Sequence, residues 1–291
     1  MTPETLFIIN PAAGGGAGKR FPQRLAGNDA YRVRFTSRPG HATELAAAAA
    51  REGYTRVVAV GGDGTLNEVG SALVGTNVVM GIIPLGSGNG LARHLGISTR
   101  PGKALRQLRD GEETSIDAID INGKYSFNVS GFGLDAEVAL AFSRMSSRGF
   151  LSYARAAACL WFRYPGRRYV FRDGDTCREE QCLIASVANS SRYGYNLTIA
   201  PAASTCDGLL DLCIIKRPPL HLLPLYLFRA MTRRLADSPY YRETRHEEII
   251  IEGDFPAGHL DGDPCTFTSP VRAHVIPGAL RVIVPSRTGG R

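Results

Sequence analysis

Three times within the first 93 residues a short apolar run ends in a glycine-rich bend and opens into a helix-compatible stretch. This junction limits the fold more than any other feature of the chain. The run at 6–9 leads into Asn10-Pro11-Ala12-Ala13-Gly14-Gly15-Gly16-Ala17-Gly18-Lys19, and the run at 57–60 into Gly61-Gly62-Asp63-Gly64-Thr65. The run at 78–83 leads into Pro84-Leu85-Gly86-Ser87-Gly88-Asn89-Gly90. A further strand-like run covers 31–35, and helical texture covers 19–25, 42–51, 66–74, 91–95 and 102–109. Strand and helix in alternation predict an α/β domain with a parallel sheet, helices on both faces and ligands at the carboxyl ends of the strands.

Beyond about residue 115 the texture changes. Apolar runs at 125–129, 169–171, 183–188, 210–215, 249–251 and 273–276 are separated by turn residues, which predicts a mainly antiparallel, β-sandwich-like second domain. Two stretches there read as helical: 149–164, aromatic and flanked by Arg144, Arg148, Arg163, Arg167 and Arg168, and 220–234, apolar and then basic. The expected boundaries are 1–118 for the first domain and 119–278 for the second, with 279–291 returning to the first.

The bend at 61–65 carries the most chemistry. Gly61 and Gly62 are expected to turn the chain with backbone angles closed to other residues and to leave N–H groups facing an anion. Thr65, three residues before Glu68, has the spacing of a capping box that starts the next helix, whose N-terminus favours phosphate. An acid beside a phosphate loop repels its ligand unless a cation or a substrate hydroxyl intervenes, so Asp63 is expected to serve Mg²⁺ or an acceptor; a local turn bond is the plainer reading. The loop at 10–19 is not a Walker A loop, because Ala13 stands where that pattern needs Gly and Arg20 where it needs Ser or Thr.

Charge and composition exclude some classes and leave others open. A net charge of +7 favours nucleotides, nucleic acid or anionic lipid surfaces without choosing among them. The arginines are scattered and no RNA-reading aromatic motif appears, so nucleic acid is not expected. The start lacks the basic and apolar pattern of a signal peptide, and the longest uncharged stretch, 69–92, is broken by Pro84 and by glycines. A cytoplasmic location follows as an expectation. The six cysteines (159, 177, 182, 206, 213 and 265) form no CxxC pair and are expected to be buried, reduced thiols. The six histidines show no metal spacing and receive no chemistry; the serines at 186–191 and Asn189 are candidates for lining a cleft.

Taken together, Asn-Pro-x-x-Gly at 10–14, Gly-Gly-Asp-Gly-Thr-Leu-Asn-Glu at 61–68 and Pro-Leu-Gly-Ser-Gly-Asn-Gly-Leu-Ala-Arg at 84–93 resemble the soluble diacylglycerol kinase and sphingosine kinase-like lipid kinases. The resemblance extends to Cys-Asp-Gly-Leu-Leu-Asp-Leu at 206–212 and Leu-Asp-Gly-Asp-Pro at 260–264. It implies an ATP- and Mg²⁺-dependent phosphotransfer to a lipid hydroxyl. The nucleotide would be held by Asn10, Pro11, Gly14, Thr36, Gly61, Gly62, Asp63, Gly64, Thr65, Leu66, Asn67, Glu68, Ser87 and Asn89.

By the same resemblance Asp263 falls where family members carry the glutamate proposed as base, one methylene longer, while sphingosine kinase-like members assign that role to the acid matching Asp63. Both stay open, and the two would meet across an interdomain cleft. A structural Mg²⁺ would take Asp207 as side-chain ligand, with the Ser204 and Leu209 carbonyls beside it. The family's fold brings the last strand, at 282–284, back to the first domain. Gly90 stands where the commonest bacterial diacylglycerol kinase pattern has Asp, which brings the third loop closer to sphingoid-base kinases. The lipid is presented by a membrane, the helix at 149–164 with Trp161 is the expected lid and peripheral membrane contact, and the resemblance leaves a homodimer open. An NAD kinase shares the Gly-Gly-Asp-Gly bend but not the run that should follow the next strand, and a non-catalytic nucleotide binder is the rival from another class.

Overall fold

A computed structural model describes residues 5–27, 30–145, 150–194, 197–254 and 257–286. The first elements are β1 (Thr5–Ile9), α1 (Ala13–Arg20), β2 (Tyr31–Phe35), α2 (His41–Arg51), β3 (Arg56–Gly61), α3 (Asp63–Leu73), β4 (Val79–Pro84), α4 (Gly90–His94), α5 (Pro101–Asp110) and β5 (Glu112–Ile121). Next come β6 (Lys124–Ser126), β7 (Val129–Gly133), α6 (Leu134–Ser143), α7 (Phe150–Arg163), β8 (Arg167–Asp173), β9 (Thr176–Cys182), β10 (Ile184–Ala188), β11 (Arg192–Gly194) and β12 (Leu197–Thr198). The chain closes with β13 (Leu210–Ile215), α8 (Leu223–Met231), β14 (Tyr241–His246), β15 (Glu248–Gly253), β16 (Gly258–Leu260), β17 (Asp263–Cys265) and β18 (Val271–Val284). Two units divide it: Met1–Asp117 with Pro277–Arg291, and Ala118–Ile276.

In the first unit β1 pairs in parallel with β2 and β3, β3 with β4, and β4 with the far end of β18 through Val282 and Met80. Leu6, Phe7, Ile8, Ile9, Val57, Val58, Ala59 and Val60 are completely buried, as central parallel strands covered on both faces require. Each large side chain among them contributes about 1.5–3 kcal/mol of burial. β2, at the sheet edge, alternates between half-buried and exposed positions. The strand order β2-β1-β3-β4 reverses direction between β1 and β3, which is where doubly wound sheets open a crevice for ligands.

The second unit packs two antiparallel sheets. One runs β14-β13-β10-β7-β16-β17; in the other β15 pairs with β8 and with the near end of β18, and β8 with β9. Phe132, Val187, Leu212 and Ile214 from the first sheet and Tyr169, Phe171, Ile249, Ile251 and Val271 from the second form one buried cluster, the core of a β-sandwich.

Several expected elements take a different form. The helix expected at 19–25 starts already at Ala13, passes through left-handed backbone at Gly14, Gly15 and Gly16, and ends in a 3₁₀ turn over Phe21–Arg24. The runs at 273–276 and 282–284 are one strand, β18. The run at 125–129 splits into β6 and β7, because the Phe127 and Asn128 N–H groups donate to the distant Asp261 carboxylate rather than to a neighbouring strand. Helix α6 had no counterpart in the reading of the sequence. Cys182 and Cys213 are buried as expected, but Cys159, Cys177 and Cys206 are exposed.

Candidate active site

The three glycine-rich bends lie at the carboxyl ends of β1, β3 and β4, adjacent parallel strands, and specific contacts hold them together. Gly14, in left-handed backbone (φ 61°), lies so close to the Leu85 carbonyl that a Cβ there would sit 2.9 Å from it. A Cβ on Gly86 would sit 2.7 Å from the Gly62 Cα. Asn10 Nδ2 donates to Thr65 Oγ1 at 3.3 Å, tying the first bend to the second. The Asp63 carboxylate accepts the Asn89 N–H at 2.8 Å with one oxygen and the Gly90 N–H at 2.9 Å with the other, tying the second bend to the start of α4. The Arg93 guanidinium closes the third bend from within, donating to the Gly88 carbonyl at 3.0 Å.

These contacts revise the local chemistry of the central bend. Gly61 and Gly62 do not adopt left-handed angles; Gly62 has φ −92°. Glycine is required at 61 by closeness instead, since a Cβ there would lie 2.5 Å from Thr65 Oγ1. Nor does Thr65 cap a helix. Helix α3 begins at Asp63 with Gly62 before it and no side-chain cap, and Glu68 reaches the other way: its carboxylate accepts the Gly40 and Ala42 N–H groups at 2.8 and 2.9 Å and caps α2. The Asp63 carboxylate thus bonds from loop to loop.

Of the other expected nucleotide contacts, Leu66 is buried in the core and offers a ligand only its backbone, and Asn67 accepts from Ser71 Oγ at 3.4 Å. Thr36 follows β2, its N–H bound to the Ile9 carbonyl at 2.9 Å; Pro11 is half-buried and Ser87 exposed. Gly64 lies in the first turn of α3, where backbone N–H groups lack intrahelical partners. Asn89 Nδ2 donates to the Gly86 carbonyl at 2.6 Å, whereas its Oδ1 is buried with no hydrogen-bond partner, an acceptor that a bound group would satisfy. Gly-lined amides and a helix N-terminus fit a nucleotide polyphosphate, and the orphaned acceptor fits a donor group such as a hydroxyl.

In the second unit the Asp261-Gly262-Asp263 turn separates its two acids by role. Asp261 is buried; it accepts Ser126 Oγ–H at 2.6 Å, the Asn128 N–H at 2.9 Å and the Phe127 N–H at 3.0 Å. Asp263 is exposed at the first position of β17.

Beside this turn lies a polar cluster that no motif announces, its members being up to 124 residues apart. Asp135 Oδ2 accepts from His259 Nε2 at 3.0 Å, from Ser186 Oγ at 3.2 Å and from the Tyr193 hydroxyl. His259 is 1 % exposed, and its Nδ1 accepts the Gly262 N–H at 3.2 Å. That acceptor role leaves the ring proton on Nε2, facing the carboxylate, so the tautomer is fixed from both sides. Gly131 makes room for the cluster, since a Cβ there would lie 2.5 Å from Asp135 Oδ2. His259, assigned no chemistry from the sequence, thus holds the turn that carries Asp263. Ser186 belongs to this buried network, and Ser190 bonds Asn128.

At the third motif Asp207 Oδ1 accepts the Leu209 N–H at 3.2 Å and Ser204 Oγ accepts the Cys206 N–H at 3.4 Å. Asp211 follows in β13, fully buried, with no hydrogen bond to either carboxylate oxygen and Arg245 Nε 3.5 Å away. Burial, with Glu243 adding to it, pushes its pKa up to about 7. Among the described residues no cluster of three or more His, Cys, Asp or Glu could hold a metal. One carboxylate with main-chain carbonyls is nonetheless an oxygen-donor set of the kind Mg²⁺ accepts.

Helix α7, the expected lid and membrane contact, is packed along one side. Ala156 is buried and Trp161 half-buried in a cluster with Leu134, Val138 and Leu183, and Arg217 lies over the Trp161 ring at 5.5 Å. Its outward face from 155 on holds Arg155, Cys159, Phe162 and Arg163, with Phe162 the one large apolar side chain. Arg148 and Gly149 lie outside the described residues. Among the described residues no helix is long and apolar enough to cross a membrane.

Two family models match the chain: the diacylglycerol kinase catalytic domain over residues 4–121, and the YegS C-terminal NAD kinase beta sandwich-like domain over residues 128–284. A Chromohalobacter salexigens protein named "Probable lipid kinase YegS-like" is 30% identical over 267 residues, covering 87% of this chain and 83% of its own. A Pseudomonas aeruginosa protein of the same name is 30% identical over 274 residues, covering 91% and 87%. A crystal structure from Bacillus anthracis, titled as a diacylglycerol kinase, superposes with a TM-score of 0.75 at 19% identity over 97% of both chains and shares the fold.

Proposed function

This chain belongs to the family of YegS-like lipid kinases built on a diacylglycerol kinase catalytic domain, and from that premise we propose that it transfers the γ-phosphate of ATP to a hydroxyl of a diacylglycerol- or sphingoid-type lipid. The carrying observation is the convergence of three glycine-rich bends on adjacent strand ends, clamped by Asp63. Backbone amides of these bends take the phosphates, with Asn10, Thr65 and Asn89 setting the spacing between the bends. Phosphoryl transfer asks a protein chiefly for positioning and charge neutralisation. Mg²⁺ supplies part of that neutralisation, and Ser204, Asp207 and Leu209 are the residues that would hold a structural ion.

Asp263 is the better base of the two acids, because both Asp63 oxygens already accept backbone N–H groups whereas Asp263 is exposed. The lipid O–H bond breaks and its proton passes to the Asp263 carboxylate; the O–Pγ bond forms as the bond from Pγ to the bridging oxygen breaks, and ADP departs. A base so placed contributes typically ~10²–10⁴-fold. The likeness to NAD kinase is one of fold, in the β-sandwich of the second domain, and carries no activity.

The test is labelled ATP with a panel of diacylglycerol, sphingosine and NAD, using wild type and Asp263→Asn. Magnesium-dependent label in the organic phase is expected, lost by ~10²–10⁴-fold in the variant with ATP affinity intact. Label in NAD alone, or in no lipid, overturns the proposal. Peripheral contact with a membrane surface and a homodimer fit the same reading; sedimentation with vesicles and in their absence tests both.

A further inference from the structure

Six large apolar side chains are strongly exposed among the described residues, and four of them, Leu220, Leu225, Phe228 and Met231, fall on one twelve-residue segment comprising a 3₁₀ turn (Leu220–Leu222) and α8. At 100° per residue, Leu225, Phe228 and Met231 span an arc of about 120° on the helix. The opposite side of α8 is spoken for: Ala230 is 9 % exposed, and with the half-buried Tyr226 it packs on a cluster of Val129, Ile199, Ile215 and Leu235. The apolar arc therefore faces outward with the helix already seated.

Charge along the segment has one sign. Arg229 lies at the edge of the arc, Arg233 and Arg234 follow directly and are exposed, and no carboxylate occurs between Asp211 and Asp237. Arg233 adopts left-handed backbone (φ 62°), ending the helix so that the two arginines follow at its tip. An outward apolar arc bordered by cations and free of acids matches an anionic lipid leaflet: apolar chains enter the acyl boundary while guanidinium groups stay with the phosphates. A second copy of this chain would bring the same cations face to face.

We propose that α8, with the turn before it, is a surface that docks this enzyme on anionic membrane, in addition to the expected contact at α7, whose tryptophan is half-buried. The choice of a bilayer as occupant rests on the lipid-kinase reading above; the binding does not depend on turnover, so the two can fail separately.

Full-length protein is sedimented with vesicles of phosphatidylcholine alone and with vesicles containing 30 to 40 parts per hundred, roughly, of phosphatidylglycerol, a composition giving a strong surface potential. Wild type binds the anionic vesicles, weakens with added salt and binds the neutral ones poorly. Leu225→Glu with Phe228→Glu reduces the partition at least about tenfold. Arg233→Gln and Arg234→Gln each cost about fivefold, the equivalent of one cation near the surface. Thermal midpoints and ATP affinity of these surface variants stay at wild-type values, which separates docking from folding. The proposal is overturned if the Glu variants bind anionic vesicles as wild type does, or if they only convert a dimer to a monomer without changing the partition. Vesicle binding through α8 with no lipid phosphorylated would leave docking standing and sink the kinase reading.

Discussion

Asp63→Asn separates a clamp from a base. In the wild type both carboxylate oxygens accept backbone N–H groups, from Asn89 at 2.8 Å and Gly90 at 2.9 Å. Asparagine keeps one acceptor and turns an NH₂ toward the other amide, so one charge-assisted bond weakens and the other becomes a donor facing a donor. A hydrogen bond to a charged group contributes about 1.5–3 kcal/mol, and a partly buried N–H left unsatisfied costs about 1–3 kcal/mol. The expected destabilisation is roughly 2–4 kcal/mol, about 1 kcal/mol from the weakened bond added to about 1–3 kcal/mol from the unsatisfied amide. For a chain of this size that lowers the thermal midpoint by roughly 5–15 °C. The third bend should loosen with it, so ATP affinity falls in parallel with the midpoint. The assay is a thermal melt by circular dichroism with and without ATP, alongside calorimetric titration of ATP. An Asp63→Asn protein that melts like wild type, binds ATP with unchanged affinity and has lost only turnover would refute the clamp and return Asp63 to the role of base.

Glu68→Gln should lower stability by about 1–2 kcal/mol through loss of the α2 cap while leaving ATP affinity unchanged, read by denaturant titration; lost affinity at full stability would place Glu68 on the nucleotide instead. His259→Asn retains an oxygen near the Nδ1 position and so keeps the Gly262 N–H bond, whereas His259→Gln reaches toward Asp135 and loses it. Turnover should stay within about threefold in the Asn variant and fall on the order of tenfold or more in the Gln variant, with the KM for ATP constant in both; equal loss in both denies His259 its hold on the Asp263 turn. In the native protein a thiol-disulfide reagent at pH 8 should label Cys159, Cys177 and Cys206 quickly and Cys265 slowly, burial having pushed its pKa up to about 11. Cys182, pushed up to about 12, and the fully buried Cys213 should react only after unfolding, and a fourth fast thiol would contradict the packing.

What could be read in the sequence was what depends on neighbours along the chain. β1, β3 and β4 are near-continuous apolar runs because both faces are buried, and each run stops where the backbone must bend. Two strands at sheet edges were not legible, although the edge strand β2 was. β9 reads Thr-Cys-Arg-Glu-Glu-Gln-Cys and β14 Tyr-Arg-Glu-Thr-Arg-His, polar sequences whose place is fixed by pairing with β8 and β13. The false capping box at 65–68 has the same origin: the spacing was right, but the amides that Glu68 satisfies belong to another helix.

The motif acids follow one rule that spacing alone could not supply. Asp63, Glu68 and Asp261 each direct a carboxylate at backbone N–H groups of a segment at least 26 residues away, so three acids in glycine-rich motifs act as fasteners between loops. Within such a motif accessibility singles out the acid to test for chemistry, and of the acids in the bends at 61–68 and 261–263 Asp263 alone is exposed. The turn itself is a two-residue Asp-Gly hairpin with left-handed backbone at both positions, closed by Leu260 pairing with Asp263, and the Asp261 bonds to 126–128 with the His259 contact to Gly262 anchor that hairpin to the rest of its sheet. Asp261→Asn should therefore damage turnover through the fold, whereas Asp263→Asn should damage it with the fold intact.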